Sequence, residues 1–347
     1  MKSFNHGLLL IFFLSGILIA CKDEKKTISG REYKGLLFGM EYTIDVVNDS
    51  TDYTQSIDSI IHLFEYNFNL LDSSSVISKI NTFKKTDQAF KFKDSTMLFG
   101  IVYDIVRDYN RGSQQFFDPT MNPLKREWYR FRFAGLEGEP NLDSLYEFVA
   151  FDGAKVDLIE INNANNQYSH SLVRKKDPRV ELDFTSLASA YACDMISDFF
   201  TSKGVSQFRL KYGKSVICRG LGVDELNIVP LGITGDSLDN RIRLINGAFS
   251  LMRVEDKASL VDPTYGYPVD NEVVYVAVAA KTLSTALVYS EVFMIMGFDQ
   301  SSKWYEQNED SGVHSFMLIQ RGKELSSAST VGFDEMLIAP DNTVTSQ

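Results

Sequence analysis

Apolar residues recur along this chain with two periods. Tyr42, Ile44 and Val46 alternate with polar neighbours, which predicts a strand. Ile57, Ile60, Ile61, Phe64, Phe68 and Leu71 return every three or four residues, the stripe of an amphipathic helix. Residues 97–109 read as a second helix, and residues 187–200 as a third that follows the polar start Asp183-Phe184-Thr185-Ser186. Residues 204–217 read as a loop and a strand, and residues 226–233 as another strand. Val273 to Ala279 is a run of β-formers, residues 284–296 form a buried helix ended by Gly297, and residues 316–320 are a late strand. Helices and strands intermix without a βαβ rhythm. The pattern therefore predicts an α+β fold, mixed sheets flanked by helices, rather than a doubly wound parallel sheet.

One apolar run fits none of these elements. Leu8 to Ile19 follows Lys2 almost directly and is too short for an ordinary membrane span. It closes on Leu18-Ile19-Ala20-Cys21, a small residue before a cysteine, as at the cleavage site of a bacterial lipoprotein. Residues 1–20 are read as a removable signal peptide and Cys21 as the acylated first residue; a plain secretory signal with an incidental cysteine is the alternative. The polar residues 21–32 then form a tether and residues 33–340 the folded domain. This places the protein in the cell envelope of a bacterium, held by lipid on the periplasmic face or the cell surface.

Hydrophobic residues make up 44% of the 347-residue chain and aromatics 12%, enough for a large core. The net charge of −11 and the absence of a basic cluster exclude nucleic acid as a partner. Cys193 and Cys218 fall in a predicted helix and a predicted strand, contexts that do not demand a disulfide. His6, His62, His170 and His314 are scattered without zinc-ligand spacing, and no P-loop, G-x-S-x-G or G-x-G-x-x-G occurs. Two stretches admit a binding role beside a structural one. The helix start at Asp183 suits a diphosphate through its free N–H groups, or is simply capped by Asp183 or Thr185. Phe117-Asp118-Pro119 is equally a structural turn.

Several stretches, in order, resemble the FAD:protein FMN transferase (ApbE) family. Residues 117–124, F-D-P-T-M-N-P-L with Trp128 behind, are similar to F-D-P-T-x-G-P-L…W. Residues 75–81, S-V-I-S-K-I-N, match S-x-I-S-x-I-N. Residues 182–194 resemble L-D-L-G-G-I-A-K-G-Y-A-V-D. Residues 261–268 resemble I-D-P-R-T-G-x-P, residues 274–297 a strand, helix and M-G ending, and Gly332-Phe333 the late G-F. The resemblance implies an ApbE-like fold, FAD as substrate, Mg2+ as cofactor, and an exported or membrane redox protein whose Thr or Ser receives FMN. It also implies that Phe38, Leu71, Phe117, Asp118, Asp183 and Ser189 face the flavin nucleotide, and that Ser186 and Glu291 stand at metal-binding positions.

The departures fall on the chemistry. The family's metal-binding Asp aligns with Leu287 and its Thr with Glu291; a rival register restores a Thr at Thr285 but puts Lys281 on the Asp. The family's Lys becomes Ser189, its His Ser259, and its flavin-side Tyr and Met become Leu71 and Phe38. Loss of a metal carboxylate should slow phosphoryl transfer by roughly 10²-fold or more. The implied function is therefore a lipid-anchored family member with weak or lost activity and a retained flavin- or partner-binding role. The alternatives are an active Mg-dependent transferase and, outside the family, a solute-binding lipoprotein. Cys21→Ser should release the protein from membranes in its host; full retention in the membrane fraction contradicts the lipoprotein reading.

Overall fold

The structure, a computed structural model, describes residues 30–94, 96–151, 156–162, 169–220, 228–231 and 241–338. In chain order its elements are β1 (Gly30–Leu37), β2 (Met40–Val47), α1 (Thr54–Phe68), α2 (Val76–Thr82), β3 (Phe90–Lys93), α3 (Leu98–Gly112), α4 (Asn122–Phe133), α5 (Asp143–Tyr146), β4 (Val156–Asn162), β5 (Ser169–Lys175), α6 (Thr185–Ser202), β6 (Phe208–Tyr212), β7 (Ser215–Arg219), β8 (Ile228–Pro230), β9 (Arg241–Arg243), β10 (Gly247–Arg253), β11 (Val273–Ala280), α7 (Leu283–Gln307), β12 (His314–Arg321), β13 (Glu324–Ser329), α8 (Val331–Asp334) and β14 (Leu337–Ile338). The signal segment, Cys21 and most of the tether lie outside the described residues.

Eight strands form one sheet in the order β1-β2-β6-β7-β10-β11-β12-β13, and two three-stranded sheets, β14-β9-β8 and β3-β5-β4, stand beside it. The α+β class is as the pattern predicts, but every strand pairing among the described residues is antiparallel rather than mixed.

The uninterrupted apolar run of β11 has a direct cause: both faces of the strand are covered. Val276 and Val278 join the main core with Phe64, Ile77, Val102, Ile196 and Val292 of five helices. Tyr275, Ala277 and Ala279 join a second core with Val229, Ile242 and Phe333 on the opposite face. Helices thus cover one face of the large sheet and the small β8/β9/β14 sheet covers the other. Cys193 packs in the first core and Cys218 in the second; both are buried and neither is in a disulfide.

Some predicted boundaries move. β1 begins at Gly30, paired with Val47, so residues 30–32 belong to the sheet rather than the tether. The single strand predicted within residues 204–217 is a hairpin, β6 and β7, whose turn is only Gly213-Lys214. Such a tight turn interrupts the pattern by only two residues. Of the strand predicted over residues 226–233, residues 228–231 are described, and the first three of them form β8. Gly297 does break the buried helix: its φ of 74° and ψ of −179° are non-helical, and helix resumes beyond it within α7. Among the described residues no helix is long and apolar enough to cross a membrane.

Two helices set the geometry that matters below. Asp194 of α6 is buried, and its carboxylate accepts the amides of Leu283 (2.7 Å) and Ser284 (2.9 Å) and the Ser284 hydroxyl (2.6 Å). It caps α7 from a neighbouring helix, alongside the local cap from Thr282 to the Thr285 amide.

A second buried ionisable group pins the segment leading into α6. Lys175 is 1% exposed, and its ammonium donates to the carbonyls of Asn81, Pro178 and Val180 at 3.0, 3.3 and 3.1 Å. Burial, helped by nearby Lys84, pulls its pKa down to about 8, against the pull of Glu181 and Asp177. The unfolded chain therefore holds more protons between pH 8 and 10.5, so this group's contribution to stability is lowest below about pH 8 and rises through that window. The stability of wild type relative to Lys175→Met should increase from pH 8 to 10 by at most about 3 kcal/mol, read by denaturant unfolding. A difference that is flat or falls with pH contradicts the burial effect.

Candidate functional site

The stretches that carry the family pattern meet in space. The Asp183 amide donates to the Pro119 carbonyl at 2.7 Å, stitching the 117–120 loop to the start of α6. The Asn81 side chain pairs with both backbone groups of Leu182, donating to its oxygen (2.9 Å) and accepting from its nitrogen (2.8 Å). Trp128 of α4 donates from its indole N–H to the Gly266 carbonyl at 2.9 Å, bringing in the 261–268 stretch. At this junction lies a cavity of about 60 Å3, lined among others by Phe117, Asp118, Lys125, Asp183, Ser186 and Glu291.

Each charged group there has an identifiable state. Asp118 Oδ1 accepts the Thr120 amide (2.7 Å) and hydroxyl (2.6 Å), and Oδ2 accepts the Phe151 amide (2.9 Å). The Thr120 hydroxyl also accepts the Ala150 amide at 2.8 Å. Burial pushes the Asp118 carboxyl up, and these donors pull it back. Asp118 is thus engaged in holding its own loop. Asp183 Oδ1 accepts the Thr185 amide at 2.9 Å at the mouth of α6. Glu291 Oε1 accepts the Ser186 hydroxyl at 2.6 Å, joining α7 to the first turn of α6. Burial pushes the Glu291 carboxyl above its ordinary range; Lys125 and the Ser186 hydroxyl oppose this, and Asp183 and Asp256 add to it.

Five of the predicted residues, Phe117, Asp118, Asp183, Ser186 and Glu291, therefore share one cavity. Three do not line it. Ser189 is one turn further along α6, buried, with its hydroxyl donating to the Ser186 carbonyl at 2.8 Å. Phe38 sits with Gly39 in the β1–β2 turn, φ 51° and 79°, both in the left-handed region that a two-residue hairpin of this type requires. The Phe38 amide is held by the Glu65 carboxylate. Leu71 lies near this tip and is 84% exposed. In the rival register the residue concerned is Thr285, whose hydroxyl meets the hydroxyls of Tyr109 and Thr282, both at 2.8 Å. Glu291 is the residue that faces Ser186.

Lys125 takes a position that the sequence pattern did not disclose. It lines both the small cavity and an adjoining groove of about 610 Å3. Its only signal was its place directly after the P-L of the F-D-P-T stretch, where a lone lysine on a helix reads as solvated surface.

The family model described as the ApbE family matches residues 38–245 of this chain. The chain belongs to the ApbE family. Among relatives, the FAD:protein FMN transferase of Haemophilus influenzae is 21% identical over 334 residues, covering 89% of this chain and 91% of that protein. That of Vibrio cholerae is 23% identical over 314 residues, covering 84% and 88%. The solved flavin transferase ApbE of Vibrio cholerae superposes with a TM-score of 0.69 at 18% identity, over 89% of this chain and all of that one. The apo flavinyl transferase ApbE of Pseudomonas stutzeri gives 0.71 at 18% identity, over 90% and 98%. The ApbE fold is thus shared.

The arrangement does not fit a divalent ion at the family's positions. Mg2+ asks for hard oxygens in near-octahedral geometry. Here the Ser186 carbonyl already accepts the Ser189 hydroxyl, Leu287 offers only hydrocarbon packed against the core, and Glu291 is tied to Ser186. Among the described residues no three His, Cys, Asp or Glu side chains converge to hold a metal. The buried Thr185 hydroxyl in the first turn of α6 has no hydrogen-bond partner among the described residues.

The Asn81–Leu182 pair ties the end of α2 to the segment entering α6, next to the Asp183–Pro119 bond that holds the 117–120 loop. Asn81→Ala should lower stability by about 1–3 kcal/mol and speed hydrogen exchange at the Leu182 and Asp183 amides. Unchanged exchange at both amides would show that the junction does not depend on this side chain.

Proposed function

We propose that this chain is an envelope protein, lipid-anchored at Cys21, that keeps the ApbE scaffold for binding a flavin nucleotide but performs metal-dependent FMN transfer slowly or not at all. The observation that carries this reading is the closed contact between Glu291 and Ser186, one helical turn from Leu287, at the place where a metal would have to sit. Phosphoryl transfer depends on charge neutralisation at the phosphates, and a leucine supplies none. Retained binding is supported by the joined backbone of the 117–120 loop and the α6 mouth, which does not rely on the altered side chains. Any partner would be an exported or membrane redox protein that the flavin-loaded or empty domain docks against, since the family relatives are named as transferases acting on proteins.

The test is AMP release from FAD by the mature chain, with and without Mg2+. The expected wild-type rate lies far below the roughly 1 s⁻¹ ordinary for enzymes. Leu287→Asp with Glu291→Thr should raise Mg2+ affinity, since it places two oxygen ligands four residues apart on one face of α7. The same variant should melt lower without Mg2+ and regain stability on its addition. Wild-type turnover at about 1 s⁻¹ or faster would establish the active transferase instead.

A further inference from the structure

The small cavity is crowded with carboxylates, yet one cation in it is left uncommitted. The Lys125 ammonium forms no hydrogen bond or ion pair with another described residue, although its charge pulls down the carboxyls of both Asp118 and Glu291. The neighbouring cation is committed: Arg126 forms a two-pronged pair with Glu181 at 2.8 and 3.1 Å. Much of the negative charge facing Lys125 is also accounted for. Asp118 is held by three donors from Thr120 and Phe151, Glu291 by the Ser186 hydroxyl, and Asp256 by both contacts of Lys214 at 2.7 Å and the Arg253 amide at 2.7 Å. Asp183, which caps α6, and Glu255 on the groove wall are the remaining carboxylates.

Lys125 also stands where two spaces meet. The cavity of about 60 Å3 holds little more than an ion or a few waters, and the groove of about 610 Å3 has room for a nucleotide-sized group. The groove continues from Lys125 along α4 to Trp128 and Tyr129. Trp128 is buried, while Tyr129 is 69% exposed and stacks on Phe133, with centroids 6.2 Å apart and planes at 15°. An ammonium at the inner end and an exposed aromatic face at the outer end match a phosphate ester of a planar heteroaromatic group.

Building on the proposed flavin-nucleotide reading, we infer that the Lys125 ammonium takes the place of the divalent ion as the counter-charge for the ligand's phosphate, so that the ligand binds without metal and lays its ring along the Tyr129 side of the groove. A lysine is a compact point charge suited to this task, and its position on α4 puts it across the cavity from the α6 mouth. Charge neutralisation by an ammonium supports binding without organising an attacking group and a leaving group as a metal does, which agrees with slow or absent transfer.

The experiment is calorimetric titration of the full mature chain with FAD and with inorganic pyrophosphate, each in EDTA and in Mg2+. Wild type should bind both ligands equally well in either buffer. Lys125→Met should weaken both by about 10- to 100-fold, as expected for a lost charge-assisted contact, and Lys125→Arg should restore most of the loss. Tyr129→Ala should weaken FAD several-fold and leave pyrophosphate unchanged. Both side chains are partly or largely exposed, so the variants should melt with the wild type. FAD binding that disappears in EDTA, or that Lys125→Met leaves intact, overturns the inference and leaves the flavin reading standing. Failure of wild type to bind FAD in either buffer overturns both.

Discussion

The chemistry of this molecule hangs on the register between α6 and α7, and a single buried carboxylate sets it. Asp194 receives the first amides of α7, which leaves α7 no freedom to slide along α6. Eight residues back along α6 from Asp194 is Ser186, and eight residues forward along α7 from Leu283 is Glu291, so the two helices run antiparallel with matched steps. Eight residues span about 12 Å of helix, which carries the fixed register from the cap to the cavity wall. Glu291 meets Ser186 because Asp194 meets Leu283. Burying Asp194 is unfavourable in itself, as the upward push on its carboxyl indicates, and the three donors it receives offset that cost.

The main elements were legible wherever one period dominated. The stripe predicted from Ile57 to Leu71 holds as far as Phe68, where α1 ends and leaves Leu71 exposed, and the run from Val273 is read correctly, because burial on one helix face, or on both sheet faces, shapes both pattern and structure. The misses have equally local causes. β6 and β7 merge in the sequence because their turn, Gly213-Lys214, is only two residues long, and β1 extends into the tether because its first residues alternate only weakly at an exposed edge. The Asn81–Leu182 pairing is also invisible to periodicity: a side chain imitating a backbone partner 101 residues away leaves no local trace. Only its place at the end of an ordered family stretch marked it.

For the site, the picture is similar. The stretches around Asp118 and Asp183 pointed to a shared locus, and backbone contacts join them there. Asp118, however, works as the organiser of its own turn, a role the sequence left open beside binding. Glu291 closes its carboxylate onto the Ser186 hydroxyl and so bridges the two helices. Lys125 could not be singled out from sequence, since its place where the small cavity meets the groove exists only in three dimensions.

The central claim is that the cap at Asp194 places Glu291 on Ser186. A double-mutant cycle of Ser186→Ala and Glu291→Gln, measured by equilibrium unfolding, tests it directly when repeated in an Asp194→Asn background. The account predicts a coupling of about 1–2 kcal/mol in the native background that falls below about 0.5 kcal/mol once Asp194 is altered. No coupling in the native background, or the same coupling in both, would contradict it.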